Sequence, residues 1–197
     1  MLVLASGSRS RAELLARLEL PFECERSDFD ERAHDHRFAE LGPQGFALLL
    51  ARGKAQAVAA RRPGDWILAA DQLAVLDEPG GQDTTSVLLH KPGTEERAVA
   101  QLMRLRGRTH RLVNALVLVG PEFEAHELDE ARLTMREFDE AEARAYVERH
   151  RPLGSAGAYH VEDAGIRLFE AIEGDYTGII GLPLLAVCRL LRTAGLL

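Results

Sequence analysis

The sequence predicts an α/β fold of mixed α+β character, built as two small lobes flanking a cleft. Three observations carry that expectation. Short apolar runs of strand type alternate along the chain with stretches of helical period. The middle of the chain holds strand-like runs close enough in sequence to form an antiparallel excursion. A chain of 197 residues with 46% apolar content can bury one sizeable core or two small lobes that share a cleft. No Pro/Gly/Ser-rich linker separates such lobes, so residues 1–197 are expected to form a single bilobed domain.

The elements follow in order. Met1–Ala5 is a short apolar run and reads as a buried strand. Ser6-Gly7-Ser8 interrupts it, and Arg9–Leu20 follows with Leu14, Leu15 and Leu18 at helical spacing. Ser8 stands where an N-cap would, although the Glu or Gln of a capping box is missing. Beyond Pro21, Phe22–Arg26 reads as extended and Ser27–His36 as a polar, acidic loop. A long helix is predicted from about Pro43 to Arg61, turning Phe46, Leu49, Leu50 and Val58 inward. Trp66–Leu76 is the most strand-like stretch, with Asp71 and Gln72 set into WILAADQLAVL. Glu78–His90 is Gly-rich and polar before it turns apolar, which predicts a loop or a wide hairpin. Thr94–Arg106 returns to helical period, and Leu112–Val119 and Glu127–Met135 read as strands joined around Gly120-Pro121. Asp139–Arg149 is a charged helix with Asp139 as its cap, Ile166–Ile172 a strand, and Leu182–Thr193 a final amphipathic helix. No fixed-period repeat or low-complexity stretch stands out.

Charge and cysteine content exclude several functions. The formal net charge of -7 argues against a nucleic-acid coat or a membrane-surface binder, both of which need a basic face. A small anionic ligand needs only a few local cations and stays open. The two cysteines, Cys24 and Cys188, are far apart and in no metal-type spacing, so neither a disulfide scaffold nor a zinc ribbon is expected. MLVLASGSRSR reads as neither a signal peptide nor a membrane span, and a cytoplasmic location is expected.

Three constellations could carry chemistry. In the first, a strand, the turn SGSRSR and a helix present backbone N–H groups and the positive helix end to a ligand. Ser8 adds a hydroxyl and Arg11 a forked cation, so a phosphate cradle is possible on paper. The bland alternative is an ordinary turn with surface arginines. In the second, Asp71 sits among Leu68, Ala69, Ala70 and Leu73, where a carboxylate costs free energy unless it is paired or used as a base or a metal ligand. The third is dispersed: Asp28, Asp30, Glu31, Lys54, Lys91, Glu173 and Asp175 are the residue types of a metal–triphosphate site. Each singly is more often a solvated charge. His34 and His36 have no third ligand within reach, and no G-x-S-x-G elbow supports a hydrolase triad.

The opening LASGSRSRAELL resembles that of the Maf-type nucleoside triphosphate pyrophosphatases, which usually read LAS-x-S-P-R-R-x-E-L-L. The likeness continues in order through SDFDE (Ser27–Glu31), LARGKA (Leu50–Ala55), AADQ (Ala69–Gln72), Lys91-Pro92 and GRTH (Gly107–His110). It ends with AGAY (Ala156–Tyr159), IEGDY (Ile172–Tyr176) and GLPL (Gly181–Leu184). The pattern departs at Arg9-Ser10, usually Pro-Arg, at Gly53, usually Glu, at His90, usually Gly, and at Asn114-Ala115, usually Thr-Gly. The resemblance implies a bilobed α/β fold and hydrolysis of a nucleoside triphosphate to the monophosphate and pyrophosphate with a divalent cation, Mg2+ or Mn2+. It casts Asp71 as the proton acceptor for the attacking water. Ser8, Arg11, Lys54 and Lys91 fall on phosphate-facing positions, and Glu31 joins Asp71 at the metal.

Within the family the resemblance also implies specificity positions at Ser10, Gln72 and Glu162. Gln72 with Glu162 matches the group acting on 7-methyl-GTP, whereas Gly174-Asp175-Tyr176 resembles the dTTP/UTP group. A carboxylate suits guanine, which offers adjacent N1–H and N2–H donors. The alternatives are a dTTP/UTP pyrophosphatase and a non-catalytic nucleotide-binding regulator of cell division. The partners expected are the nucleoside triphosphate and a second copy of the chain, with no nucleic acid and no membrane.

Overall fold

Leu-Val-Leu at positions 2–4 has no polar side chain to keep in water, and it forms the buried strand β1 (Leu2–Leu4). The computed structural model describes residues 1–80 and 83–197; Gly81 and Gln82, in the stretch expected to be loop or wide hairpin, lie outside the described residues. After β1, Ser8 caps α1 (Arg9–Ala16), its Oγ accepting from the Arg11 backbone N–H at 3.4 Å. β2 (Phe22–Cys24) and a 3-10 helix (Arg32–Arg37) lead into α2 (Phe38–Ala59). Gly42, with φ 65°, kinks α2 where an L side chain would be strained, and Pro43 begins the main helix at the predicted place. β3 (Trp66–Gly80) and β4 (Asp83–Leu89) form an antiparallel hairpin, so the Glu78–His90 stretch is mostly strand.

α3 (Glu95–Leu105) starts at the cap Thr94, and the two long strands β5 (Thr109–Gly120) and β6 (Phe123–Met135) follow as expected. Asp139 caps α4 (Glu140–His150), accepting from Glu142 N at 2.8 Å. The predicted strand Ile166–Ile172 is corrected: Ala164–Leu168 is a 3-10 helix and the strand β7 covers Phe169–Glu173. Two helices close the chain, a short α5 (Tyr176–Ile180), which sequence periodicity does not reveal, and α6 (Leu184–Thr193). Among the described residues the strand order is β2-β1-β3-β5-β6-β7, with β4 paired to β3. β1 runs parallel to β2 and β3, while the β3–β4 and β6–β7 pairs are antiparallel, which makes the fold mixed α/β.

The chain divides into two units: Met1–Gln72, Val113–Glu130 and Asp175–Leu197 make the first, Leu73–Leu112 and Ala131–Gly174 the second. In the first, Leu2 and Leu4 of β1, Leu14 and Leu15 of α1, Leu68 of β3, Leu116 and Leu118 of β5, and Val187, Leu190 and Leu191 of α6 share one apolar cluster. Each such side chain contributes ~1.5–3 kcal/mol by leaving water. Truncating Leu190 to Ala in this cluster would cost ~2–5 kcal/mol. In the second unit α3 packs against α4 and turns Ala98, Val99, Leu102 and Leu105 inward. Its buried His110 Nε2 lies 2.6 Å from Tyr159 Oη, and desolvation lowers the imidazole pKa to about 4. No helix among the described residues is long and apolar enough to cross a membrane.

Candidate active site

The first unit gathers most of the candidate residues around one carboxylate. β3 is buried at Ile67, Leu68, Ala69 and Ala70, and Asp71 continues that run with only 4% of its surface exposed. On α2 the buried positions Leu50, Ala51, Lys54, Ala55 and Val58 recur at helical spacing, so Lys54 belongs to the inward face although it carries a charge. Its Nζ donates to Asp71 Oδ1 at 2.5 Å and lies 2.9 Å from Glu31 Oε1. Asp71 Oδ2 is buried and has no hydrogen-bond partner among the described residues. Desolvation pushes the Asp71 carboxyl above the usual carboxylate range. The Lys54 charge and hydrogen bond oppose this, with Arg11 helping, and burial is the larger effect. The pair is a proton acceptor of raised basicity with one oxygen unclaimed.

Glu31 comes from the loop before the 3-10 helix and is about half exposed. The departure at Gly53 has a structural reason. The Phe29 ring lies against α2 so closely that a Cβ at Gly53 would stand 2.4 Å from it, so only glycine leaves room for this loop. Phe29 also stacks on His34, with ring centroids 4.9 Å apart. The ring fills the space of a side chain on α2 and seats the short segment that delivers Glu31 to Lys54.

Arg11, in the first turn of α1, is spoken for by backbone. Its Nε donates to Gly181 O at 2.9 Å and its Nη1 to Ala70 O at 2.8 Å. Burial lowers its pKa, opposed by the charges of Asp71 and Glu31, and a guanidinium stays protonated regardless. Ser8 remains exposed while its Oγ caps α1, and its own N–H donates to Ser6 Oγ at 3.1 Å, so part of the expected cradle is satisfied internally. Ser10 is partly buried on α1. Gln72, next to Asp71, turns its Nε2 to Gly178 O at 2.7 Å and Ile179 O at 3.2 Å.

Lys91 and Glu162 belong to the second unit. Lys91 is exposed in the loop just beyond β4 and lines a cavity of about 370 Å3 together with His90, Pro92, Arg97 and Gln101. Glu162 is exposed, and its charge adds to the burial that raises the Tyr159 and Tyr146 phenols.

A divalent cation finds a fitting donor set at Asp71. No group of three or more His, Cys, Asp or Glu suited to a metal occurs among the described residues. Magnesium needs none, because it is commonly held by one or two carboxylates and completes its octahedron with phosphate oxygens and water. Glu31 and Asp71 are hard carboxylate donors of the kind that could hold such an ion.

The family model described as Maf-like protein matches residues 1–194. The chain is 43% identical to a 7-methyl-GTP pyrophosphatase of Xanthomonas oryzae pv. oryzae, over 98% of this chain and 96% of the relative. It is 39% identical to a protein of the same description from Chromohalobacter salexigens, over 99% and 96%. It is 36% identical to a dTTP/UTP pyrophosphatase of Koribacter versatilis, over 100% and 95%.

Proposed function

The chain belongs to the Maf-like protein family, and on that premise we propose that it hydrolyses a purine nucleoside triphosphate of the 7-methyl-GTP type to the monophosphate and pyrophosphate. The relatives of both descriptions are pyrophosphatases and span nearly the whole chain, so an enzyme acting on the acid anhydride of a nucleoside triphosphate is the coarse conclusion. The observation that carries the mechanism is Asp71, a buried carboxylate of raised basicity with one oxygen on Lys54 and the other unclaimed.

Water attacking the α-phosphorus must lose a proton, and the unpartnered Asp71 Oδ2 supports Asp71 as the group that accepts it. The leaving pyrophosphate gains charge, which Lys54 stabilises from a site where low polarity strengthens its field. Arg11 has Nη2 left for a phosphate oxygen after its two backbone bonds. Glu31 and Asp71 would hold a divalent cation, which when bound neutralises phosphate charge and polarises the phosphoryl group. Lys91 and Glu162 take the roles that the resemblance implies, a phosphate contact and a reader of the base.

Gln72 and Glu162 favour the methylated guanine nucleotide, and the relatives of that description reach higher identity. The test is a panel of ordinary and modified nucleoside triphosphates with Mg2+ or Mn2+, the products resolved by chromatography. Monophosphate and pyrophosphate in equal amounts, fastest from 7-methyl-GTP, are expected. Nucleoside diphosphate with orthophosphate would refute the bond assignment, and a preference for dTTP and UTP would refute the substrate.

A further inference from the structure

The short helix α5 collects side-chain donors from the elements around Asp71. A helix leaves its last carbonyls without intrahelical partners, and five residues are too few to hold a helix by themselves. Here Gly178 O accepts from Gln72 Nε2 at 2.7 Å and from Asn114 Nδ2 at 3.1 Å, Ile179 O from Gln72 at 3.2 Å, and Gly181 O from Arg11 Nε at 2.9 Å. The other end of α5 is pinned by Asp175, whose Oδ1 accepts from Thr177 N and Thr177 Oγ1, both at 2.7 Å. The approach of β5 and β6 to the helix is close: a Cβ at Gly178 would stand 2.4 Å from Asp129 Oδ2 and 3.3 Å from Asn114 Nδ2. Asn114 is buried in an otherwise apolar run of β5, and Asn114 Oδ1 has no hydrogen-bond partner among the described residues. Such a polar residue is costly as mere core packing, and what it gains in return is the pair of bonds to Gly178 O and Asp129.

Two of these contacts reach the residues that flank Asp71. Arg11 joins Gly181 O, at the end of α5, to Ala70 O, and the Gln72 side chain is tied to α5, so the residues on both sides of Asp71 are linked to one short helix and its cap. We infer that Gln72 and Asn114 are positioning residues, which fix α5 through the shared carbonyl of Gly178 and thereby hold Asp71 in register against Lys54. The inference rests on Asp71 being the base of the proposed reaction. Both of its contacts with α5 use the Gln72 amide nitrogen, so this task adds to the specificity role that the resemblance implies for Gln72.

Gln72→Met and Asn114→Leu keep side-chain size and remove the donors. Misplacement of a reacting group by about 1 Å costs on the order of a hundredfold, so each variant should lose roughly ten- to a hundredfold in kcat while KM stays within about twofold. For Asn114→Leu the loss should be alike for guanine and pyrimidine triphosphates. Because both act on one carbonyl, the double variant should lose little more than the worse single variant. Amide hydrogen exchange supplies a readout independent of activity: residues 70–72 and 176–181 should exchange faster in both variants, with α3 unchanged. Unchanged exchange in those segments would overturn the clamp. Faster exchange with unaltered kcat, or an Asn114→Leu loss confined to guanine substrates, would overturn the positioning role. A wild-type protein inactive on every triphosphate would instead overturn the functional reading, and the clamp would then stand or fall on exchange alone.

Discussion

Replacing Lys54 with Met removes one charge from the centre of the site and little volume. In the wild type Lys54 Nζ serves Asp71 Oδ1 at 2.5 Å and Glu31 Oε1 at 2.9 Å. The Glu31 contact involves a half-exposed carboxylate, and such pairs are worth ~0–1 kcal/mol. The Asp71 contact is buried, and removing one partner of a buried pair costs ~3–5 kcal/mol because the other charge is stranded. Protonation of Asp71 caps that cost. Neutralising a carboxyl costs about 1.4 kcal/mol for each pH unit above its pKa; from an ordinary ~3.9 the ceiling would be about 6 kcal/mol at pH 8 and about 1.5 at pH 5, and the raised pKa of Asp71 in the wild type sets it lower still. Because the folded-state pKa is raised, the penalty is present at high pH and fades as pH falls through that raised value. Urea unfolding of wild type and Lys54→Met should therefore differ by ~3–5 kcal/mol at pH 8 and by only ~1–2 kcal/mol at pH 5. A difference below about 1 kcal/mol at pH 8, or one that does not shrink in acid, would refute the buried-pair account.

Three further perturbations test other parts of the structure. Ala in place of Gly normally stabilises a helix by ~0.5–1 kcal/mol, but Gly53→Ala should destabilise by ~1–3 kcal/mol in urea, because its Cβ meets the Phe29 ring. A gain in stability would show that Phe29 does not pack there. His110 is held neutral by burial with a pKa of about 4 against an ordinary 6.5, so its contribution is complete above pH 6.5 and lost as pH falls toward 4. That loss amounts to about 3 kcal/mol, and His110→Gln should flatten the acid limb of the stability profile by that amount, measured against wild type. Glu162→Gln should lower kcat/KM roughly ten- to a hundredfold for guanine-type triphosphates and leave pyrimidine triphosphates unchanged, the ratio being measured on one preparation. An unchanged ratio would mean that Glu162 does not read the base.

Much of this was legible in the sequence because its physics is local. Ser8 and Asp139 announced their helices through capping chemistry, and Asp71 stood out as a carboxylate in an apolar strand. The strand assigned to Ile166–Ile172 failed because an apolar stretch of that length does not distinguish a strand from a 3-10 turn followed by one. α5 escaped notice because five residues with a central glycine give no period to read. Arg11 was recognisable as a cation beside a Gly/Ser turn, yet its partners lie 59 and 170 residues away, and no local pattern encodes carbonyls at such separations. Gly53 reads in the sequence as a gap in the motif, and in the fold the Phe29 ring fills the space it leaves.

The central claim is that Asp71 directs water at the α-phosphorus. Hydrolysis in water enriched in oxygen-18, with the products resolved by mass, tests it most directly. The account predicts label in the nucleoside monophosphate and none in pyrophosphate, formed ~10²–10⁴-fold more slowly by Asp71→Asn. Label in pyrophosphate or orthophosphate, or near-normal labelling by Asp71→Asn, would contradict it.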